Sequence, residues 1–182
     1  MKRYMNIHQD VIDQSKKENS RAQFKLYKLY FKSMFNTSFR IVNNTMEAED
    51  IMQESFLAAF EKLNTYKGEV SFGAWLKRIV VNRCLDFLRK NSVIFEEISE
   101  KITESSDSNE STYENNEENL KLINKAISEL SDGYRVVLSL FFIEGYDHQE
   151  ISEILGITSS TSRSQLARAK QKLIERLENF KS

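Results

Sequence analysis

Apolar side chains recur every three or four residues through the first half of the chain, the spacing that places them on one face of an α-helix. We expect helices across residues 24–39, from Glu47 to Leu63 and from Phe72 to Lys90, with a break at Asn64–Ser71. Most of the first stripe is expected in a hydrophobic core, where aromatic stripes usually lie. That stripe comprises Phe24, Tyr27, Leu29, Tyr30, Met34, Phe35 and Phe39.

The last third of the chain has the pattern of two helices around a tight turn. Ile151, Ile154 and Leu155 give the first helix an apolar stripe, and Gly156 lies where the chain must reverse. Hydroxyl residues 158–161 are placed to cap a second helix that is rich in arginine and lysine. This is the geometry that lays a helix in the DNA major groove. The alternative is an ordinary helical hairpin with a solvated basic face.

Composition supports a helical protein, because the 182 residues include no proline and only five glycines. Residues 91–119 carry nine acidic residues and one lysine, whereas the rest of the chain is net positive. Residues 104–119 offer too little apolar area to offset the entropy of ordering. We therefore predict an all-α fold with two small helical domains, residues 1–92 and residues 120–182, the second a helix-turn-helix. A flexible acidic linker, residues 93–119, joins them.

The candidate chemistry narrows the classes of function. The single cysteine, Cys84, falls on an apolar helix line and is expected to be buried, and it rules out a disulfide framework within the chain. His8 and His148 are the only histidines, and no metal-ligand spacing is present, so we expect no metal, no cofactor and no catalytic residues. No apolar run approaches the roughly 20 residues that span a bilayer. We expect a cytoplasmic protein without membrane insertion.

The second predicted helix has an acidic face opposite its apolar stripe, formed by Asp50, Gln53, Glu54 and Glu61. Asp50 and Glu54 are one turn apart with no lysine between them, and such a like-charged pair is destabilising by a few tenths of a kcal/mol, roughly, in an isolated helix. The face is either a solvated surface or a docking surface for a basic partner.

The third predicted helix carries a polar face with a tryptophan at its end. Trp75, Arg78, Asn82, Asp86 and Arg89 recur at intervals of three and four residues. Aromatic rings interleaved with guanidinium and amide groups suit unpaired bases beside phosphates. The alternative is that the tryptophan belongs to the core and the arginines are solvated. Three further cations flank this face: Lys77, Arg83 and Lys90.

These elements, in this order, resemble the RNA polymerase sigma factors of the extracytoplasmic-function group of the sigma-70 family. The matching stretches are residues 47–60, residues 72–89 and the helix-turn-helix at Tyr146–Lys170. With their flanks they cover most of residues 20–90 and 120–178. Each stretch is moderately specific, and their joint occurrence at these spacings is highly specific.

The resemblance implies a non-catalytic polymerase subunit that binds core RNA polymerase and directs promoter-specific transcription initiation. It implies docking on the clamp helices of the largest subunit and contact with the flap of the second-largest subunit. An anti-sigma factor is a further expected partner, the protein is expected on the nucleoid, and the linker would follow the nucleic-acid channel. The polymerase-binding residues implied are Asp50, Gln53, Glu54, Phe56 and Leu57.

The same resemblance implies two DNA-binding sites. The first would recognise and melt the −10 element and capture bases of one strand; its residues are Asn64, Lys67, Ser71, Trp75, Arg78, Asn82, Arg83, Asp86 and Arg89. The second would recognise the −35 element as duplex; its residues are Thr158, Ser159, Ser160, Thr161, Arg163, Ser164, Gln165 and Arg168.

Two positions depart from the family. Valine is usual where this chain has Ser162, a position facing the first helix of the pair, and arginine is frequent where it has Gln165. Arg163 and Arg168 then remain the main cations of the reading helix, and fewer guanidinium groups mean fewer bidentate contacts to guanine. We expect weak autonomous −35 recognition and an additional recruiting factor.

Two other classes of function are weighed against the sigma factor. One is a stand-alone helix-turn-helix regulator, which has no reason to carry the basic and aromatic face of residues 72–90. The other is an all-helical enzyme, for which the chain offers no catalytic constellation.

Overall fold

The computed structural model describes residues 6–91 and 117–180, and these residues are mostly helical with no β-strand among them. The predicted all-α class is confirmed. The chain divides into two compact units, Met1–Phe87 and Leu88–Ser182. The helices before the division are α1 (Gln9–Lys16), α2 (Ser20–Val42), α3 (Thr45–Glu61) and α4 (Phe72–Lys90), with a 3-10 turn at Leu63–Thr65. The division falls in the last turn of α4.

Asparagines set the ends of the helices in the first unit. The Asn19 side chain accepts hydrogen bonds from the first free backbone N–H groups of α2, and Asn44 does the same for α3. Asn43 adopts a left-handed conformation, with φ of 55°, and ends α2. Asparagine is favoured at both kinds of position because its short amide bonds to nearby backbone and tolerates a positive φ. Two adjacent asparagines therefore turn the chain from α2 into α3.

The prediction that most of the α2 aromatic stripe lies in the core is wrong for Phe24, Leu29 and Phe39, which are exposed. The other four members of the stripe are buried or half-buried. Met34 is buried, but Phe24 is 57% exposed and Leu29 is 43% exposed. Tyr27 stacks between Phe24 and Phe31, with ring centroids 6.4 and 5.7 Å apart, so these rings contact one another along the helix. Smaller and aliphatic residues allow the inward face to pack closely: Ala22, Leu26, Met34, Thr37, Ser38, Ile41 and Val42.

The next two helices match the sequence pattern closely. Helix α3 begins two residues before the predicted Glu47, and Leu63 lies in the 3-10 turn that follows it. Helix α4 has the predicted bounds, Phe72–Lys90, and the apolar side chains of its stripe are buried or half-buried. Cys84 is fully buried, as predicted.

The second unit contains four helices in its described part. They are α5 (Glu117–Ser128), α6 (Asp132–Leu138), α7 (His148–Leu155) and α8 (Ser159–Asn179), and α6 continues into a π-helical turn at Ser139–Ile143. The predicted linker, residues 93–119, lies outside the described residues up to residue 116. Its last three residues are helical, because the chain enters α5 at Glu117.

The predicted helix-turn-helix is present as α7 and α8. Asp147 and Glu150 form a reciprocal capping box at the start of α7, and Gly156 ends that helix with φ of 71°. Thr158 caps α8 by accepting a hydrogen bond from the backbone N–H of Thr161. Of the four hydroxyl residues predicted to cap α8, only Thr158 is the N-cap, because the other three lie inside the first turn of the helix. The second unit packs around Ile127, Leu130, Leu138 and Ala169.

Candidate nucleic-acid and protein-binding surfaces

The acidic face of α3 is exposed at Asp50, Gln53 and Glu54. Arg83 of α4 donates from Nη1 to Glu54 Oε2 at 2.7 Å, although both side chains stay partly open to solvent. The expectation that nothing relieves the acidic pair is therefore wrong for Glu54. An exposed ion pair of this kind contributes about 0–1 kcal/mol, so it orients the two side chains and adds little stability.

A groove between α2 and α3 lies beside the acidic face. Phe56 is 2% exposed and forms its base, with its ring edge against Tyr27 at a centroid distance of 4.9 Å. Leu57 is 65% exposed. Of these two predicted contact residues, Leu57 can touch a partner, whereas Phe56 shapes the groove from beneath. The groove is lined by Ser20, Gln23, Phe24, Tyr27, Gln53, Phe56, Leu57 and Phe60.

The predicted polar face of α4 is also exposed. Trp75, at its end, is half-buried, and its ring lies 5.3 Å from Tyr66 and 5.7 Å from Phe72, centroid to centroid. The tryptophan thus belongs partly to the core and partly to the surface. Arg83 is half-buried and held by Glu54, on the side of α4 that meets α3. The exposed members of the face are Arg78, Asn82, Asp86 and Arg89.

The loop Asn64–Ser71 leads into this face. Asn64 and Lys67 are exposed, as expected of residues that contact a ligand. Ser71 is half-buried, and its hydroxyl accepts a hydrogen bond from the backbone N–H of Ala74 at 3.2 Å. It therefore caps α4, in addition to the DNA contact predicted for it. Tyr66 is buried at the centre of the loop.

The start of α8 presents the predicted duplex-binding residues with one correction. Arg163 is exposed and Arg168 is half-buried. Gln165 is only 2% exposed, so its amide does not lie on the surface that would meet an adenine edge, and we remove it from the site. The cause is helical phase, because Gln165 follows Ser162 by three residues and both face inward. The exposed or half-exposed hydroxyl residues of this site are Thr158, Ser159, Ser160, Thr161 and Ser164.

His148 joins the two helices of the pair. Its Nδ1 lies 2.9 Å from the Ser162 hydroxyl, and its ring stacks on Phe141 at a centroid distance of 4.7 Å. Ser162 therefore faces the first helix, as predicted. Burial lowers the pKa of His148 below its usual 6.5, and the positive charges of Arg163 and Lys170 lower it further, against an opposing effect of Asp147.

The second unit should lose stability as the pH falls, because the unfolded chain then takes up a proton on His148 more readily than the folded chain does. His148→Gln, which cannot titrate, should remove this part of the pH dependence. Melting temperatures at about pH 7.5 and about pH 5.5 measure the effect. In a His8→Asn background, the one remaining imidazole signal in NMR should titrate below 6.5; a higher midpoint would contradict the argument.

In the described ranges, no group of three or more His, Cys, Asp or Glu side chains is placed to hold a metal ion. Within the same ranges, no helix combines the length and the apolar character that crossing a bilayer requires.

Comparison with known proteins finds two matching family regions along the chain. Residues 26–93 match the family "Sigma-70 region 2", and residues 120–173 match "Sigma-70, region 4". RNA polymerase sigma factor SigV of Bacillus subtilis (strain 168) is 30% identical over 135 residues, which cover 74% of this chain and 78% of that protein. The chain belongs to the sigma-70 family. ECF RNA polymerase sigma factor SigW of the same organism is 29% identical over 179 residues, covering 93% and 96%.

This sigma factor of the extracytoplasmic-function group binds core RNA polymerase and promoter DNA, and directs promoter-specific transcription initiation. Sigma factors are non-enzymatic regulatory proteins, and no catalytic family is indicated for the chain. The alternative of a stand-alone helix-turn-helix regulator is wrong, because region 2 accompanies region 4 on the same chain.

Two solved structures share the fold of the sigma factor. One is the sigma factor RpoE in complex with the anti-sigma factor NepR from Bartonella quintana, 22% identical, with a TM-score of 0.58, covering 85% of this chain and 95% of that one. The other is CnrH in complex with the cytosolic domain of CnrY, 21% identical, with a TM-score of 0.56, covering 93% and 96%. At these identities the likeness supports the fold alone.

Sequence analysis missed three residues that shape the region 2 surface of this sigma factor, namely Asn6, Lys16 and Tyr66. Asn6 and Lys16 each contact Tyr66, in the loop before α4. One signal was present for Tyr66, which is an aromatic residue within the otherwise polar run 64–69. Asn6 and Lys16 carry no such signal, because Tyr66, the residue that both contact in the loop, lies at least 50 residues away in sequence.

Proposed function

We propose that the sigma factor docks on the clamp helices of the polymerase's largest subunit through α3 and the groove beside it. Asp50, Gln53 and Glu54 present carboxylate and amide oxygens on an exposed face, which suits a basic partner. Leu57 adds an exposed apolar side chain next to them. Charge would steer the encounter, and the apolar contact would slow dissociation.

We propose that the loop Asn64–Ser71 and the exposed face of α4 bind the −10 element after its strands separate. Arg78 and Arg89 supply positive charge for phosphates, and Asn82 can donate to and accept from a base edge. Trp75 keeps part of its ring at the surface, where a base can stack on it. Within the predicted set, Arg83 already has a partner, because Glu54 holds it in an ion pair.

We propose that α8 binds the −35 element as duplex. The hydroxyl groups at its start, with the N-terminal backbone of the helix, suit phosphate oxygens more than base edges. Arg163 and Arg168 then carry the base contacts, and the small number of such contacts supports an additional recruiting factor. The same unit would contact the flap of the second-largest subunit.

We further propose regulation by an anti-sigma factor, and action on the nucleoid in the cytoplasm. Of the two similar solved structures, one is a sigma factor in complex with an anti-sigma factor, and the other is CnrH in complex with the cytosolic domain of CnrY. The first of these complexes motivates the proposal for this chain.

These three proposed roles are supported by one observation: each helix exposes a different set of chemical groups. Carboxylates lie on α3, guanidinium and amide groups on α4, and hydroxyl and guanidinium groups on α8. Holoenzyme reconstituted with variants of one surface at a time should therefore fail at three different steps: assembly, strand separation and duplex recognition.

Binding of the −35 duplex should be weak and should depend steeply on salt. If most contacts are to phosphate, the logarithm of affinity falls linearly with the logarithm of salt concentration, with a slope of about 0.9 per contact. Arg163→Ala should relax specificity, at a cost of about 1–3 kcal/mol for the matched base. Lys172→Ala, the control on the same helix, should weaken all sequences about equally, because Lys172 is an exposed cation, paired with Glu175, beyond the residues assigned to base contacts.

Matched and scrambled duplexes at two salt concentrations test this, with a fragment that starts before α5 and so contains the complete second core. A discrimination ratio of about a thousandfold or more, typical of autonomous specific binders, would show that α8 needs no recruiting factor.

A further inference from the structure

Asn6 ties the loop Asn64–Ser71 to the start of α1. Its Nδ2 donates to the Tyr66 hydroxyl at 3.0 Å, and its Oδ1 accepts from the backbone N–H of Phe72 at 2.8 Å. Asn6 is itself buried, at 7% exposure. One amide side chain thus contacts both the middle of the loop and the first residue of α4, which are separated from it by 60 and 66 positions.

The Tyr66 hydroxyl, which accepts the Asn6 hydrogen bond, also joins two parts of the loop. Its hydroxyl donates to the backbone oxygen of Val70 at 2.6 Å while accepting from Asn6. Its ring, 3% exposed, packs against Phe72 and Trp75 at centroid distances of 5.7 and 5.3 Å. A phenol in this position fixes both the path of the loop and the neighbourhood of the tryptophan.

Lys16 adds a second connection from α1. Its Nζ donates to the backbone oxygen of Tyr66 at 2.8 Å and lies 5.6 Å from the centre of the Tyr66 ring. A hydrogen bond from a charged donor is stronger than a neutral one. Asn6, Lys16 and Tyr66 together are called the loop anchor below.

The loop needs such an anchor because of its own backbone. Gly68, next but one to Tyr66, has a left-handed φ of 74°. Glycine has the widest range of backbone conformations and loses the most entropy when it is fixed. Holding Asn64 and Lys67 at defined positions beside Gly68 therefore requires contacts from outside the loop.

We propose that the loop anchor positions the loop for base capture, so that discrimination among −10 sequences depends on Asn6 and α1, which themselves touch no DNA in this scheme. The proposal rests on the proposed role of the loop in −10 binding. Asn6, Lys16 and Tyr66 are positioning residues: they leave Asn64 and Lys67 exposed and restrict where those side chains lie.

The test uses holoenzyme assembled from full-length variants on two promoters that differ at one −10 base. Tyr66→Phe keeps the ring and removes the hydroxyl, and Asn6→Ala removes the amide. Each should lower the ratio of open complexes between the two promoters by about tenfold, the effect of one or two lost hydrogen bonds, with unchanged affinity for core polymerase. Lys16→Ala should act in the same direction, and Lys17→Ala, its exposed neighbour, is the matched control.

A merely structural contribution would lower open complexes on both promoters by the same factor and leave the ratio unchanged, and that result overturns the proposal. If Asn6→Ala does not fold, the promoter ratio measured with the milder variant, Tyr66→Phe, tests the proposal. Asn64→Ala and Lys67→Ala separate the two levels of the argument. If they reduce the ratio and the anchor variants do not, the anchor proposal alone is wrong; if they too leave the ratio unchanged, the loop is not the specificity element and both proposals fall.

Discussion

Asp50→Arg is expected to reduce the affinity for core polymerase by on the order of 100-fold, since placing like charges together at an interface costs several kcal/mol. Asp50 is exposed on α3, so the reversal should leave the fold intact, with little change in melting temperature. Adding Glu54→Arg should abolish association. The measurement is a titration of labelled core polymerase with wild type and variants at low and moderate salt, because rim charges act partly through screened attraction.

The structure changes how this double reversal is interpreted. Glu54→Arg breaks the ion pair with Arg83 and places two guanidinium groups together, so it disturbs α4 as well as α3. Asp50→Arg alone is the cleaner test. Asp10→Arg, at an exposed acid of α1 outside that face, is the matched control and should bind normally. An Asp50→Arg variant that binds core polymerase like wild type would refute the docking assignment.

Alanine at Arg78 and Asn82 is expected to reduce open-complex formation by on the order of tenfold to a hundredfold, from the loss of one phosphate contact and one base contact. Initial polymerase binding should change much less, because unpaired bases become available only after the strands separate. Permanganate footprinting should show lower thymine reactivity near the start site. Lys25→Ala, an exposed cation on α2, is the control for loss of charge alone.

A premelted template separates melting from later steps. It should restore a large part of the activity of the Arg78→Ala and Asn82→Ala variants, since the cost of strand separation is then removed. Equal defects on duplex and premelted templates would mean that these side chains do not act in melting.

Sequence patterns predicted best those features that neighbouring residues decide. The bounds of α4 follow from the cap at Ser71 and the apolar stripe after it, and the α7–α8 corner follows from Gly156 and Thr158. Each depends on contacts within a few positions of the chain, where helical spacing and capping preferences apply directly.

Features that depend on distant residues were harder to predict. The aromatic residues of α2 fit a helical stripe, but the neighbouring helices pack against its smaller residues, leaving Phe24 exposed. Gln165 was predicted at the surface because it is polar, but its position around the axis of α8 turns it toward the core. The pair between Glu54 and Arg83 spans 29 positions, so no local pattern announces it.

The connection between Asn6 and Phe72 also has a consequence for how the protein is made. Asn6 leaves the ribosome 66 residues ahead of Phe72, and 60 ahead of Tyr66. Contacts so distant in sequence must wait for loop closure and slow the folding of an otherwise locally connected helical unit. During synthesis, which adds about 5–20 residues per second, α1 therefore spends several seconds without its final partners. The first helical unit, whose helices otherwise form from nearby residues, therefore gains the Asn6 contacts only after Phe72 has been synthesised.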